Sequence, residues 1–234
     1  MRTDNYTYEA YDKNPDPSHR PMYLKAALSF LNSLPVGSSV LDAGCGGGDF
    51  SIGIKDAGFE VFGSDLSKTG IAHAKKLIVE GEFEVASVYE DLTHPFSVSS
   101  FDGIVCVEVI EHLYSPMTFA SRAFEALKPG GILVITTPYW GYLKNVVLAT
   151  SGRLDRQLTV LWEGGHIKHF SKNTLKKLMT NAGFETLGFV GCGEGIRHYT
   201  PYLWNGMLMA FRKPASNSNL FQNAITEIEY EYDK

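Results

Sequence analysis

The sequence has little cysteine, no long apolar run and no excess of basic residues. Its three cysteines, Cys45, Cys106 and Cys192, are widely spaced and form no C-x-x-C pair, which argues against a disulfide framework or a zinc site. No early stretch resembles a signal peptide, and no window approaches the roughly 18 apolar residues that a membrane span requires. Lysine and arginine total 21 against 26 acidic residues, so no phosphate-backbone binder is indicated. We expect a cytoplasmic protein without a transmembrane segment or a nucleic-acid partner.

The 234 residues suit one domain with small additions. The polar start, punctuated by Asn14-Pro15-Asp16-Pro17, predicts a flexible arm over residues 1–18. The composition predicts the main domain over residues 19–213 and a polar, acidic tail over residues 214–234.

Short apolar segments alternate with segments of helical periodicity through most of the chain. Strands are predicted at residues 39–43, 59–64, 83–88, 101–107, 132–137, 184–190 and 207–211. A turn is predicted at Lys128-Pro129-Gly130-Gly131, before the fifth strand. This order is typical of the α/β class. It predicts a Rossmann-like, doubly wound, mostly parallel sheet of about seven strands with helices on both faces.

The turn after the first strand is rich in glycine, with Gly44 and Gly46 at the spacing of a G-x-G-x-x-G fingerprint. Glycines let a backbone approach a ligand closely, and the helix that follows presents free N–H groups. The third glycine position of the fingerprint is Asp49, whose carboxylate would repel a pyrophosphate. S-adenosylmethionine (SAM) is a cation without phosphate. The turn therefore favours SAM over NAD.

Four motifs occur in the order that is typical of class I SAM methyltransferases. They are Leu41-Asp42-Ala43-Gly44-Cys45-Gly46-Gly47-Gly48, then Asp65, then Val107-Glu108-Val109-Ile110-Glu111-His112-Leu113, then Leu127-Lys128-Pro129-Gly130-Gly131. Within that class, the sequence resembles the branch that contains the ubiquinone-pathway O-methyltransferases, over roughly residues 20–191.

The resemblance implies where the cofactor binds. Asp65, at the end of the second strand, would accept hydrogen bonds from the ribose hydroxyls, and Val107 would lie beside the adenosine. Arg20 would meet the methionine carboxylate, unless it is a plain surface arginine. The complete implied SAM-binding set is Arg20, Asp42, Gly44, Cys45, Gly46, Asp65, Leu66, Val88 and Val107.

Glu108, Glu111 and His112 form an E-x-x-E-H group just after the fourth strand. In the ubiquinone-pathway branch the matching residues are associated with a divalent cation, so the resemblance implies Mg²⁺ or Mn²⁺ at these three residues. Two alternatives stay open. Glu111 and His112 act directly as catalytic residues, with His112 as a base or orienter of the acceptor, or the acids cap the next helix and His112 packs beneath the substrate.

A second polar cluster, Glu163-Gly164-Gly165-His166-Ile167-Lys168-His169-Phe170, supplies His166 as a third catalytic candidate. Nearby aromatic residues predict a lined acceptor pocket with a polar floor; they are Tyr139, Trp140, Tyr142 and Trp162. Residues 139–170 are predicted to form an acceptor-side lid. Because Lys144, Arg153 and Arg156 alternate with apolar residues there, a surface that makes peripheral contact with a membrane is the alternative.

These observations predict a SAM-dependent methyltransferase (EC 2.1.1.-) with a small-molecule acceptor. We expect transfer to a hydroxyl oxygen of a sugar, a phenol or a quinone precursor. An N- or C-methyltransferase and a non-catalytic SAM-binding regulatory protein are the alternatives. The Glu111-His112 pair argues against the regulatory protein.

Overall fold

The computed structural model describes residues 20–158, 160–161, 164–193 and 203–215, without the side chains of Arg20 and Arg156. The predicted arm and residues 216–234 of the predicted tail lie outside these ranges, so the domain boundaries stay predictions. None of the helices within the ranges has the length and apolarity to cross a bilayer.

Seven strands and six α-helices alternate through the described ranges. In chain order they are α1 (Arg20–Leu31), β1 (Ser39–Ala43), α2 (Asp49–Asp56), β2 (Glu60–Asp65), α3 (Lys68–Leu77), β3 (Glu82–Val85), β4 (Phe101–Val107), α4 (Pro116–Ala126), β5 (Leu127–Pro138), α5 (Tyr142–Thr150), α6 (Lys172–Asn181), β6 (Glu185–Cys192) and β7 (Gly206–Arg212). Short 3-10 helices occupy Ile110–His112 and Leu154–Gln157.

The strands form one sheet in the order β3-β2-β1-β4-β5-β7-β6. Neighbours from β3 to β5 are parallel, and β7 runs antiparallel to both β5 and β6. The mostly parallel, Rossmann-like sheet is therefore confirmed. The chain order reverses between β1 and β4, so a crevice opens at the carboxyl ends of these two strands, where open α/β sheets bind ligands.

Apolar side chains cover both faces of the sheet. One layer packs under α1, α2 and α3 and includes Ala27, Ile54 and Ala74. The other packs under α4 and α6 and includes Phe119 and Met179. Strand β1 is buried throughout, as a central strand covered on both faces should be.

Two local predictions were wrong. The third strand ends at Val85, and Val88 lies in the loop that follows. The turn predicted at residues 128–131 lies inside β5, whose pairing with β4 jumps from Leu127 to Ile132 in a bulge. The bulge is compatible with continued pairing because Gly130 adopts φ 83° and its N–H donates to the Lys213 carbonyl.

Candidate active site

The loop after β1 is pressed against the segment that follows β4. Gly44 adopts φ 86°, and a Cβ built on it would lie 2.4 Å from Cγ2 of Val109. The Gly44 N–H donates to the Ser64 carbonyl of β2 at 2.7 Å. Only glycine combines this conformation with this closeness. The loop therefore forms one wall of the crevice between β1 and β4.

Asp65 connects the end of β2 to that loop. Its Oδ2 accepts from the Gly46 N–H at 2.9 Å, and its Oδ1 accepts from the Ser67 N–H at 2.7 Å. A carboxylate has about four acceptor positions, so lone pairs remain on both oxygens for two hydroxyl donors. Leu66 beside it is 62% exposed at the rim. This geometry is compatible with the predicted ribose contact.

The other predicted cofactor residues lie around the same edge of the sheet. Asp42 is buried and accepts from the Ser51 hydroxyl at 2.6 Å, which ties β1 to α2. Cys45 is buried, and burial raises the pKa of its thiol, so the thiol stays protonated. Val88 is buried and Val107 is half-buried at the end of β4. Because the Arg20 side chain lies outside the described part, its contact with the cofactor stays a prediction.

Glu108 follows β4 directly and has an unusual backbone. In the part of the chain that the structure describes, it is the non-glycine residue with a positive φ, 54°. Its N–H donates to Oγ1 of Thr136 at 3.0 Å, and that hydroxyl donates to Oε1 of Glu108 at 2.9 Å. The Tyr23 hydroxyl also hydrogen-bonds the carboxylate. Burial raises the pKa of Glu108 to about 7, against the effect of these two hydroxyls. A positive φ at a non-glycine residue is a strained backbone conformation, and such strain is typical of functional sites.

Glu111, in the 3-10 helix after β4, is 0% exposed. Neither carboxylate oxygen has a hydrogen-bond partner among the described residues. Burial raises the pKa of Glu111 well above its usual range, the charge of Glu108 adds to this, and the nearby Thr137 hydroxyl acts in the opposite direction. A buried carboxylate without partners costs stability. Its presence points to a role with a ligand.

The predicted acceptor loop docks onto this 3-10 helix. The Glu111 carbonyl accepts from the N–H groups of Ile167 and Lys168, both at 2.9 Å. On the other side, the Trp140 N–H donates to the Phe170 carbonyl at 2.9 Å. Backbone contacts thus hold residues 164–170 against the end of β4.

This docking brings the three predicted catalytic side chains together. Nδ1 of His112 lies 2.8 Å from the Gly164 carbonyl, and the ring centroids of His112 and His166 are 5.0 Å apart. Nε2 of His166 lies 4.0 Å from Oε1 of Glu111. Burial lowers the pKa of His112 and lowers that of His166 to about 4, where nearby His112 and His169 add to the effect. Both rings are therefore neutral at neutral pH.

The grouping differs from the predicted metal set of Glu108, Glu111 and His112. One donor atom each of Glu111, His112 and His166 lies within 4.8 Å of the others. Glu108 is instead engaged by Thr136 and Tyr23. The set that could hold a cation is therefore Glu111, His112 and His166, with His166 in place of the predicted Glu108.

The predicted aromatic residues have different environments. Trp140 packs on His169 of the acceptor loop, with ring centroids 4.0 Å apart. Tyr139 is buried and packs on Phe189 and Trp204, and its backbone pairs with Phe170 of that loop. Of these two, Trp140 is the one whose ring packs on a side chain of the acceptor loop.

Helix α5 of the predicted lid buries a charged side chain and exposes apolar ones. Its buried side chain is Lys144, whose Nζ donates to the Tyr139 carbonyl at 2.9 Å. Its exposed large side chains are apolar: Tyr142, Leu143, Val146 and Val147. Tyr142 is 86% exposed, and its place in the aromatic-lined pocket stays a prediction. Trp162 and Glu163 lie outside the described residues, and the lid and the membrane surface both stay predictions.

The sequence interpretation missed two groups. Tyr23 was not among the predicted site residues, yet its buried hydroxyl reaches Glu108. Thr136 and Thr137 are two buried hydroxyls beside Glu108 and Glu111. The signal available was a Thr-Thr pair at the end of an otherwise apolar strand.

Comparisons with known proteins agree with this architecture. The model of a family described as a methyltransferase domain matches residues 17–187. A ubiquinone biosynthesis O-methyltransferase of Azoarcus sp. is 32% identical over 165 residues, which are 66% of this chain and 67% of that relative. A 2-methyl-6-phytyl-1,4-hydroquinone methyltransferase of Synechocystis sp. is 37% identical over 106 residues, 45% of this chain and 33% of that protein.

Solved structures show the same fold. Magnesium protoporphyrin IX methyltransferase from Synechocystis, with bound S-adenosylhomocysteine (SAH), has a TM-score of 0.61 at 18% identity over 83% of each chain. The matched segments span between 33% and 78% of the curated relatives' own length. The glycine loop, the crevice at the strand reversal and the matched family model agree. The chain therefore belongs to the methyltransferase-domain family and is a class I SAM-dependent methyltransferase, as its motifs predicted.

Proposed function

We propose that the protein transfers the methyl group of SAM to a hydroxyl oxygen of a small-molecule acceptor, and that His112 takes the hydroxyl proton. The observation that carries this proposal is the contact between Nδ1 of His112 and the Gly164 carbonyl at 2.8 Å. A carbonyl oxygen only accepts, so Nδ1 carries the hydrogen. In a neutral imidazole, Nε2 then holds the lone pair and is the basic atom.

The reaction needs little else from the protein. The acceptor O–H proton moves to Nε2 of His112 while the oxygen attacks the methyl carbon. The carbon–sulfur bond breaks and its electrons stay on sulfur, which yields a methyl ether and SAH. Because the sulfonium is already a good leaving group, most of the protein's contribution is to hold the reactants in line. The Gly164 contact fixes the base for this purpose.

The surroundings favour a phenol or quinol with an apolar substituent over a sugar. Trp140 and His169 offer aromatic faces at the acceptor loop. The exposed side of α5, which begins just after Trp140, is apolar. Two curated relatives are named for ubiquinone or hydroquinone methylation, and aromatic hydroxyls are acidic enough for an imidazole to deprotonate during attack.

The direct test is a mass-spectrometric screen for the gain of one methyl group. The panel should contain matched phenols, quinols, sugars, amines and carbon nucleophiles, incubated with SAM and the purified protein. We expect methyl ethers of the aromatic hydroxyls. Products methylated on nitrogen or carbon would replace O-methylation with one of the two alternatives.

His112→Asn tests the base. Loss of a positioned base lowers kcat by about 10²- to 10⁴-fold, and we expect unchanged SAM affinity because His112 is not among the predicted cofactor residues. The matched control is His94→Asn, which changes an exposed histidine in a turn. Full turnover of His112→Asn on the natural acceptor class would eliminate this role.

A divalent cation is the second candidate for the same cluster. Glu111 has buried oxygens without described hydrogen-bond partners, and one donor atom each of Glu111, His112 and His166 lies within 4.8 Å of the others. A backbone carbonyl on the second ring nitrogen, as at His112, is typical of metal-ligating histidines. One carboxylate and two imidazoles suit Mn²⁺ or Zn²⁺ better than Mg²⁺, which prefers oxygen ligands. A bound cation would lower the pKa of an acceptor hydroxyl.

Metal analysis separates the two candidates. Elemental analysis after extensive dialysis, and titration with Co²⁺ followed by its visible spectrum, report binding without any acceptor. A stoichiometric ion that disappears in Glu111→Gln or His166→Ala, but persists in Glu108→Gln, would favour the cation. Turnover that is unchanged by excess chelator would favour His112 as a metal-free base.

A further inference from the structure

Glu108 directly follows β4, at the edge of the sheet where the crevice opens. Asp65 ends β2, and β2 is separated from β4 by β1 alone in the sheet. Since neighbouring strands are about 4.8 Å apart, the ends of β2 and β4 are separated by about 10 Å. Glu108 follows β4, and the cluster of Glu111 and His112 begins three residues later.

The sulfonium of bound SAM must lie near the end of β4. It is joined to the ribose by one methylene group, and its methyl must reach an acceptor beside His112. If Asp65 holds the ribose and His112 holds the acceptor, the sulfonium lies between the ends of β2 and β4. This step rests on the function proposed above.

The Glu108 carboxylate is held at this edge of the sheet, on the β5 side of β4. Thr136 on β5 and Tyr23 on α1 both donate to it. Tyr23 cannot swing away, because its hydroxyl is packed against Gly206 at the start of β7. Glu108 itself is half-buried, so part of the residue is exposed at the end of β4. The positive φ of 54° keeps its backbone turned out of the strand direction.

SAM and its product differ by one unit of charge. SAM carries a sulfonium, an ammonium and a carboxylate, whereas SAH has a neutral thioether in place of the sulfonium. We propose that the Glu108 carboxylate is the counter-charge of the sulfonium and makes the crevice bind SAM in preference to SAH. Partly buried charges interact more strongly than charges in water. The attraction disappears when the methyl group leaves, which favours exchange of product for fresh cofactor.

Isothermal titration of wild type and Glu108→Gln with three ligands tests this role, at about pH 8.5 so that the Glu108 carboxylate is charged. The ligands are SAM, SAH and sinefungin, an analogue that carries an ammonium group where SAM has the methyl sulfonium. We expect Glu108→Gln to weaken SAM and sinefungin about tenfold, or about 1.4 kcal/mol, and to leave SAH within about twofold. Glutamine keeps an oxygen that accepts from Thr136 and Tyr23, so the fold of the site should persist.

Two further variants make the result specific. Glu125→Gln removes an exposed carboxylate of α4 that pairs with Arg122, so it changes the net charge equally and should leave all three affinities unchanged. Glu108→Asp keeps the charge but retracts it by one methylene, so its preference for SAM should fall between those of wild type and Glu108→Gln. Equal weakening of all three ligands, or no change in any of them, would overturn the proposal. No acceptor is present, so these results do not depend on which acceptor atom is methylated.

Discussion

The cofactor side of the crevice and the acceptor side satisfy their polar groups differently. On the cofactor side, Asp65 accepts two backbone N–H groups and Asp42 accepts the Ser51 hydroxyl. On the acceptor side, Glu111 has two buried oxygens without described hydrogen-bond partners, and Glu108 has a strained backbone. On the first side both carboxylates thus have protein donors, although the Ser64 hydroxyl is buried without a hydrogen-bond partner among the described residues. The second has polar groups whose partners would arrive with a substrate or an ion.

The difference follows from how each side is assembled. Asp65 and Gly46 are 19 residues apart, within one β–loop–α–β unit. His112 and Gly164 are 52 residues apart, and the acceptor loop docks on the 3-10 helix through backbone bonds. A preformed cofactor side and a separately added acceptor side allow the same fold to accept different substrates.

Gly44→Ala tests whether the cofactor side is preformed, and we expect it to have the largest effect on SAM affinity. The added Cβ would lie 2.4 Å from Cγ2 of Val109, at a φ of 86°. Either the loop or the segment after β4 must move, and a displacement on the order of 1 Å in such a site costs about 100-fold. We expect SAM affinity to fall by about that factor in isothermal titration.

Gly37→Ala is the matched control for that variant. Gly37 has φ 80° with nothing within 4 Å of a built Cβ, so it shares the backbone strain without the steric conflict. Both variants should lose about 1–2 kcal/mol of unfolding free energy, but Gly37→Ala should bind SAM normally. If Gly44→Ala binds SAM as wild type does, the wall is not rigid and the contrast between the two sides fails.

Asp65→Ala is expected to have the next largest effect. If Asp65 holds the ribose, SAM affinity should fall by about 1–3 kcal/mol, or roughly 5- to 150-fold. The variant also releases the N–H groups of Gly46 and Ser67, so a second ligand is needed. Removing both ribose hydroxyls from SAH should weaken binding to wild type far more than to Asp65→Ala. An equal loss in both proteins would assign Asp65 to the loop alone.

The sheet could be predicted well because its signals are local. The strands at residues 39–43 and 101–107 have the predicted bounds, since central strands are short segments rich in apolar residues. Gly183 ends α6 with φ 99°, as expected of a glycine after a helix. The bulge at residues 128–131 was missed because its stabilising bond comes from Lys213, far along the chain.

The acceptor side could be predicted only as a set of residue types. His112, Glu111 and His166 were identified as candidates, but their grouping depends on the docking of a loop about 50 residues away. Lys144 points inward because the Tyr139 carbonyl accepts from it, a contact that helical periodicity does not report. The hydrogen bond from Tyr23 to Glu108 likewise joins α1 to the end of β4.

The smallest effect is expected from Glu111→Gln, which tests whether the buried Glu111 carboxylate lowers the free energy of unfolding. The pKa of Glu111 is raised in the folded protein, so the folded state binds its proton more tightly than the unfolded state. Its contribution to stability is therefore complete below the unfolded pKa near 4.5 and is lost as pH rises through the folded pKa. Because glutamine does not ionise, Glu111→Gln does not lose stability in this way as pH rises.

In metal-free buffer, we expect Glu111→Gln to match wild type near pH 5 and to be about 1 kcal/mol more stable near pH 8.5. This gain corresponds to about 2–4 °C in Tm by calorimetry. Glu125→Gln, which alters an exposed carboxylate, should show no such gain. A Glu111→Gln variant that is destabilised equally at both pH values would mean that Glu111 is a paired structural group, and the contrast between the two sides would disappear.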